Sequence, residues 1–172
     1  ERFGWKKTPS PSGRGYGIAC GIDAGTYVAE IAEVQADKAS GRVKVVGLCD
    51  VHENTREVAA EQVTDLNGDR PKTYNDFREL LEKEKPEIVV IATPDHWHAL
   101  QTIAAVKAGA HVFVEKPTGH TVNESRAMLR AGREGGRIIQ VGLHRRIGPH
   151  HVSGMKFLKS GAVGDVGMVR IF

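Results

Sequence analysis

The side chains best suited to chemistry in this chain follow three apolar runs. Asp50 comes directly after VKVVGLC, Thr93 follows EIVVIA, and Lys116 closes the run HVFVEK. Apolar runs of this kind are typical of buried strands, and residues just past successive parallel strands share one edge of a sheet. Open α/β sheets bind their ligands at that edge. The sequence therefore predicts one polar crevice built from three strand ends.

The group after EIVVIA combines hydrogen-bonding side chains of several kinds. Thr93, Pro94, Asp95 and His98 place a hydroxyl, a short acid and an imidazole within six residues. Such groups suit the hydroxyl and phosphate oxygens of a nucleotide. The alternative is a plain helix start, with Thr93 or Asp95 as the N-cap.

Lys116 is the strongest candidate for a catalytic role. An ammonium group at the carboxyl edge can polarise a substrate hydroxyl or carbonyl, and burial can lower a lysine pKa enough for proton transfer. The alternative is a surface lysine on a turn that Pro117 fixes. Glu115 either orients this site and contacts a ribose or is an ordinary acid at a strand end.

The histidines do not form a recognisable metal-binding pattern. Neither the pair His96 and His98 nor the group His144, His150 and His151 is accompanied by cysteine or carboxylate at ligand spacing. We therefore expect no metal, and we expect His150 and His151 to begin a helix.

Composition excludes several classes of protein. The chain has 172 residues, of which 40% are hydrophobic and 26% charged, as in a globular chain of about one domain. An aromatic content of 6% and a net charge of +3 argue against a nucleic-acid partner. No apolar run suits a membrane span. The two cysteines predict no disulfide framework, and without a signal-peptide pattern we expect a cytoplasmic protein.

The order of predicted elements indicates a parallel sheet with one exception. Tyr27–Val34 and Arg42–Cys49 alternate as strands around a turn, which predicts a β-hairpin. After Asp50, helices and strands alternate, with strands at Lys72–Tyr74, Glu87–Ala92, His111–Glu115, Arg137–Gly142 and Val166–Ile171. In the helices between them we expect Asn75 to be an N-cap and Thr121 and Glu124 to form a capping box, and the expected buried stripe of the helix after EIVVIA is Leu100, Ile103, Ala104 and Ala108. We predict an α/β fold: a partial Rossmann-like doubly wound sheet in which the hairpin replaces the first βα unit. If the hairpin reverses Arg42–Cys49, Asp50 moves to the opposite edge.

A dinucleotide site also needs a glycine turn between a first strand and a helix. Gly13, Gly15 and Gly17 are spaced G-x-G-x-G, but only proline and serine precede them, and no helical pattern follows. Because backbone N–H groups of such a turn hold the pyrophosphate, we expect dinucleotide binding to be weak.

From about Val45 onward the chain resembles the N-terminal domain of the Gfo/Idh/MocA oxidoreductases. The resemblance lies in VGLCDV (46–51), ATPDHWH (92–98), the E-K-P motif (115–117) and GLHRR (142–146). It implies NAD-dependent hydride transfer to or from a sugar, polyol or related hydroxyl compound. Lys116 would be catalytic, while Asp50, Thr93, Pro94, Asp95, His98, Glu115 and Lys116 would bind the cofactor and His144 and Arg145 would face the substrate.

The same resemblance has consequences for cofactor choice and assembly. A carboxylate at Asp50 repels a 2′-phosphate, which favours NAD over NADP, and Arg56 is the one basic residue close to it in sequence. Full-length members can form homo-oligomers, with a small-molecule substrate and neither nucleic acid nor membrane as partner.

Residues 13–44 resemble a different protein, the molybdopterin-binding large subunit of xanthine dehydrogenase and aldehyde oxidase-type enzymes. We therefore expect a tail and hairpin of foreign type over residues 1–44, an incomplete dinucleotide-binding domain over 45–165, and the start of a truncated second domain over 166–172. The main alternative is a non-catalytic chimeric or truncated fragment with little or no cofactor binding. A weaker alternative is a piece of a molybdenum hydroxylase.

Overall fold

The computed structural model describes the backbone of residues 31–36 and all of residues 43–143, 146 and 148–170. Within these residues six strands form one sheet and five helices are present. The strands are β1 (Ile31–Ala36), β2 (Val43–Cys49), β3 (Lys72–Tyr74), β4 (Ile88–Ile91), β5 (His111–Glu115) and β6 (Ile139–Gly142). The helices are α1 (Glu53–Asn67), α2 (Phe77–Glu84), α3 (Asp95–Lys107), α4 (Val122–Gly135) and α5 (Pro149–Lys159).

The strand order is β3-β2-β1-β4-β5-β6, and β1 is antiparallel to both of its neighbours. The other neighbouring pairs, β2–β3, β4–β5 and β5–β6, are parallel. The predicted α/β class is therefore confirmed, as is the antiparallel pairing of the hairpin strands over the residues described; residues 27–30 of the first predicted strand and residue 42 of the second lie outside them. Because both neighbours of β1 run against it, β2 and β4 run in the same direction, and β1 is the one reversed strand among the six described.

β2 contains a bulge next to β1. Ala32 pairs with Leu48, but Val34 pairs with Val45, so two residues of β2 oppose one residue of β1. The pairing of β1 with β4 is regular over the same stretch. The extra residue interrupts the alternation of buried and exposed positions along β2, as a bulge requires. The last three residues of β2 are all buried.

In the part of the chain that the structure describes, one apolar cluster is formed by residues of the sheet and the helices. Its fully buried side chains include Leu80, Ile91 and Val114. The helix termini carry the capping residues that their sequences indicate. Gly68 takes φ 78° after α1, and Thr121 and Glu124 form the predicted capping box at the start of α4.

Two details of the helices differ from the prediction. α2 is capped by Asp76 rather than Asn75, because the Asp76 side chain accepts a hydrogen bond from the Arg78 N–H at 2.8 Å. In α3 the buried face is not the predicted one: Leu100, which the pattern places on the buried face, is 51% exposed. The alanine-rich sequence of this helix offers apolar side chains on more than one face, so its pattern does not single out the buried one.

The C-terminal part of the described chain lies on the outside of the molecule. Every residue from His150 to Arg170 is exposed. The prediction of a strand over Val166–Ile171 is wrong for residues 166–170, because no strand of the described chain pairs with them. None of the described helices is both long and apolar enough to cross a membrane.

Candidate functional site

The carboxyl ends of β2, β4 and β5 meet at one edge of the sheet. Ile31 of β1 pairs with both Cys49 and Ile91, which places the ends of β2 and β4 at the same level. Ile91 in turn pairs with Val114 of β5. The residues that follow Cys49, Ile91 and Val114 therefore lie at the same edge; they are Asp50, Ala92 and Glu115. Thr93 and Lys116 lie one residue further on.

Asp50 lies at this edge, and the bonds around it fix its backbone. Its side chain is buried, with Oδ1 accepting a hydrogen bond from the His52 N–H at 2.7 Å. Arg56 Nη1 donates to the Asp50 carbonyl oxygen at 2.6 Å and to Asn75 Oδ1 at 3.2 Å. The one basic residue expected near Asp50 is thus bonded to its backbone.

Cys49, just before Asp50, is a free buried cysteine. Burial raises the pKa of its thiol to about 12, with further contributions from the carboxylates of Asp76 and Asp50. This thiol stays protonated at neutral pH, so it is not a nucleophile for the site.

The loop after β4 forms the middle of the edge. The Thr93 hydroxyl donates to Gln101 Oε1 at 2.7 Å, which fixes its rotamer. Pro94 is exposed and stands at the N-cap of α3, where its carbonyl oxygen accepts the Trp97 N–H at 2.9 Å. Neither Thr93 nor Asp95 is the N-cap, so the alternative of a plain side-chain cap does not apply here.

His98 joins the loop after β4 to the loop after β5. Its ring is 1% exposed. Nε2 lies 2.7 Å from the Thr93 carbonyl oxygen, and Nδ1 lies 2.5 Å from the Pro117 carbonyl oxygen. Since both ring nitrogens are engaged, His98 contributes to the edge by holding these loops.

Glu115 and Lys116 complete the edge at the end of β5. Glu115 Oε2 accepts the Lys116 N–H at 3.2 Å, and a Cβ on Gly142 would lie only 2.6 Å from Oε1. Lys116 is followed by a cis peptide bond to Pro117. Its side chain is exposed rather than buried, and within residues 43–143 its ammonium group forms no hydrogen bond or ion pair.

One group of side chains beside this edge is not apparent from the sequence pattern. His120 Nε2 lies 2.8 Å from Asp95 Oδ1, and this hydrogen bond lowers the pKa of the Asp95 carboxyl. The His96 ring stands 6.0 Å from the His120 ring, centroid to centroid. His120 follows a different strand from Asp95 and His96, so only the pairing of β4 with β5 could have suggested the group. The candidate substrate-side residues His144 and Arg145 lie outside the described residues.

Residues 18–143 match the Gfo/Idh/MocA family, which is described as an oxidoreductase family with an NAD-binding Rossmann fold. The chain belongs to this family. It is 30% identical to the inositol 2-dehydrogenase of Salmonella typhimurium over 135 residues, which cover 78% of this chain and 39% of that protein. It is 32% identical to the levoglucosan dehydrogenase of Pseudarthrobacter phenanthrenivorans over 117 residues, 64% of this chain and 30% of that protein.

The solved structures agree with this assignment. The myo-inositol 2-dehydrogenase of Lactobacillus plantarum superposes with a TM-score of 0.65 and 29% identity, over 74% of this chain and 36% of that one. The chain thus spans about two fifths or less of the length of these relatives. The family match includes most of the segment that resembles a molybdopterin-binding subunit, and that second resemblance stays a hypothesis.

The cofactor of the family domain is NAD, and the described residues fit it at two places. A buried carboxylate at the end of β2 suits a ribose, and the edge around Thr93 and Lys116 offers polar groups for the other half of the molecule. β1 begins at this edge, since Ile31 pairs with the last residues of β2 and β4. The candidate glycine turn, Gly13, Gly15 and Gly17, lies outside the described residues.

Proposed function

We propose that this domain serves NAD-dependent hydride transfer between the nicotinamide and a hydroxyl-bearing carbon of a sugar or polyol. The observation that supports this most directly is the shared edge, where strand ends bring Asp50, Thr93 and Lys116 together. The names of the relatives agree with the substrate class, since inositol is a polyol and levoglucosan a sugar derivative.

At the adenosine end, Asp50 would accept hydrogen bonds from the ribose hydroxyls. The carboxylate disfavours a 2′-phosphate because two like charges would meet. Arg56 is already bonded to the Asp50 carbonyl and to Asn75, and so is less available to a 2′-phosphate. Both features favour NAD over NADP.

At the other end, bound NAD supplies the carbon that accepts or gives the hydride. Lys116 would donate a hydrogen bond to the reacting substrate oxygen and take part in moving its proton. Glu115 would hold the backbone of Lys116, as its bond to the Lys116 N–H indicates. Thr93, Pro94 and Asp95 would line the cofactor side, and His98 would position both loops.

The direction of β1 supports a second candidate, a domain that binds NAD only weakly. In the usual arrangement the first strand runs parallel to its neighbours and turns into a helix whose N-terminus meets the pyrophosphate. Here β1 runs the other way. Losing two charge-assisted hydrogen bonds of about 1.5–3 kcal/mol each weakens binding by about two to four powers of ten. The dissociation constant would then be millimolar or beyond detection.

Calorimetric titration of the chain with NAD⁺ and NADH separates the two candidates. Micromolar binding that Asp50→Ala removes, while the exposed control Asp65→Asn retains it, supports the proposed site. Undetectable binding supports the second candidate.

The role of Lys116 is tested in a full-length member of the family that carries the E-K-P motif. Replacing the lysine that corresponds to Lys116 by Met should abolish turnover and leave NAD binding within a few-fold, because a group in the proton relay acts mainly in the transition state. The matched control is the same Lys→Met change at the position that corresponds to exposed Lys107. Unchanged turnover in the Lys116 variant would remove the catalytic assignment.

A further inference from the structure

We propose that Asp95, His96 and His120 form a binding site for a divalent transition-metal ion. Each offers one ligand atom, and these atoms all lie within 4.8 Å of one another. The proposal goes beyond hydride transfer, in which the metal has no assigned part.

The fold holds the three donors near one another. Asp95 and His96 lie in the first turn of α3, directly after β4, and His120 lies in the loop after β5. β4 and β5 are neighbouring parallel strands, so both segments leave the sheet at the same edge. The bonds of buried His98 to the Thr93 and Pro117 carbonyls join these segments at a second point. The donors therefore come from two segments whose relative position is fixed.

The geometry needs only a small adjustment to bind an ion. Asp95 Oδ1 and His120 Nε2 are already 2.8 Å apart, a separation that suits neighbouring ligands of one metal. His96 is more distant, with its ring centroid 6.0 Å from that of His120 and the rings inclined by 65°. The His96 side chain is exposed, so rotation about its own bonds can bring a ring nitrogen closer.

The donor set selects the class of ion. Two imidazoles and one carboxylate suit Zn²⁺, Co²⁺, Ni²⁺ or Cu²⁺, whereas Mg²⁺ and Ca²⁺ prefer sites built from oxygen atoms. Three protein ligands leave at least one position for water or another oxygen ligand. Because both histidines are exposed, that position faces solvent at the edge where the proposed substrate and cofactor approach.

The competing explanation is a hydrogen-bonded pair with a third ring packed beside it. Asp95 and His120 form such a pair, and the His96 ring also lies 5.9 Å from the Trp97 ring. A pair of this kind needs no ion and has no preference among cations. Metal binding that depends on all three side chains distinguishes the proposal from this explanation.

The direct test is calorimetric titration of the metal-free chain, without NAD, with ZnCl₂ and separately with MgCl₂. One Zn²⁺ site is expected, with no comparable Mg²⁺ binding. Asp95→Asn, His96→Gln and His120→Gln should each weaken this Zn²⁺ binding at least tenfold. The matched control is the double variant His150→Gln/His151→Gln, since this exposed pair with rings 4.1 Å apart is a further candidate for surface binding.

Co²⁺ provides an independent readout, because its visible absorption reports nitrogen and oxygen ligation at the ion. The spectrum should change on addition to the wild-type chain and to the control, and not with His120→Gln. Circular dichroism establishes that each variant is folded. Zn²⁺ binding that survives the loss of any of the three side chains, or that disappears in the control variant instead, would overturn the proposal.

Discussion

At the scale of single residues, His98 has the strongest structural role at the edge. It is buried, and it lies within hydrogen-bonding distance of two carbonyl oxygens that belong to different loops. The sequence identifies this residue as a member of the site, but a short motif cannot distinguish an imidazole that touches a ligand from one that fixes the loops around it. The Pro117 carbonyl is nineteen residues away in sequence, so the contact depends on tertiary structure.

Replacing His98 should therefore destabilise the domain. His98→Ala removes the ring that contacts two carbonyl oxygens and opens a cavity, and we expect a loss of at least about 2 kcal/mol in the free energy of unfolding. His96→Ala, an exposed change two residues earlier, should stay within about 0.5 kcal/mol. Urea unfolding measures both. Equal stability of the two variants would show that the His98 contacts contribute little.

Cys49 should make stability depend on alkaline pH. In the unfolded chain its thiol ionises near the ordinary pKa of 9.0, whereas in the folded domain its pKa is about 12. A raised pKa in the folded state means that the stabilisation is complete below pH 9.0 and is lost as the pH rises towards 12. The loss of unfolding free energy over this range should be smaller in Cys49→Ala than in the parent.

The parent and the Cys49→Ala variant both carry Cys20→Ala, so that Cys49 is the single thiol of the parent. The measurement is urea unfolding at a series of pH values from about 8 to 11. Parallel pH curves for the parent and Cys49→Ala would contradict the raised pKa.

At the scale of elements, the sequence predicts strands better than helix faces. The runs KTY and HVFVE are strands over the predicted residues, because polar or turn-forming residues stand on both sides of them. The buried face of α3 is predicted wrongly, since alanines on several faces give no single apolar stripe. Contacts with the sheet and with α4 decide which face is buried, and the sequence of one helix does not contain those contacts.

The junction of β5 and β6 offers a test of close packing. In Gly142→Ala the added methyl group would meet the Glu115 carboxylate at 2.6 Å, so the carboxylate must move away from the Lys116 N–H. Because the carboxylate is the mobile end of a flexible side chain, we expect a loss of at most about 1 kcal/mol, mainly from the weakened hydrogen bond to the Lys116 N–H. Gly154→Ala in α5 meets nothing within 4 Å and replaces glycine inside a helix, so it should be neutral or slightly stabilising.

Thermal unfolding of the two alanine variants gives the comparison. In a full-length member of the family, the change that corresponds to Gly142→Ala should also lower turnover, because Glu115 holds the backbone of Lys116. A Gly142→Ala protein as stable as Gly154→Ala would mean that Glu115 shifts at no cost.

At the scale of the whole molecule, the grouping of Asp50, Thr93 and Lys116 depends on both the order and the direction of the strands. What the sequence leaves open is which strand of the hairpin is reversed, because the alternation of a strand does not reveal its direction. Pairing settles the matter: β1 contacts β2 and β4 on its two sides and is antiparallel to both. The group of Asp95, His96 and His120 likewise depends on the adjacency of β4 and β5, which no local pattern contains.

The exposed C-terminal part of the described chain should make the protein prone to association. Met155, Phe157 and Leu158 of α5 are each about half exposed, and Val166 and Met168 beyond it are more so. Large exposed apolar patches bind hydrophobic dyes and promote self-association. We expect the dye 1-anilinonaphthalene-8-sulfonate to fluoresce with the native chain, and this signal should fall clearly when the three α5 residues are changed to Ser.

Leu66→Ser is the control for dye binding, since Leu66 on α1 is 86% exposed but lies outside this region. Analytical ultracentrifugation of the same proteins reports self-association. Equal dye fluorescence in the α5 variant and the parent would place the dye-binding surface elsewhere.

The bulge in β2 determines which face of the sheet the Asp50 carboxylate occupies. Val34 pairs with Val45, and regular pairing from there would set Ile31 opposite Leu48 instead of Cys49. Asp50 would then be level with Thr93 rather than Ala92, about 3.4 Å further along the strand. Successive side chains of a strand point to opposite faces of the sheet, so a shift of one residue would turn the Asp50 carboxylate to the other face. The side of the sheet from which a ribose could reach Asp50 is therefore set by the number of residues between Val45 and Cys49.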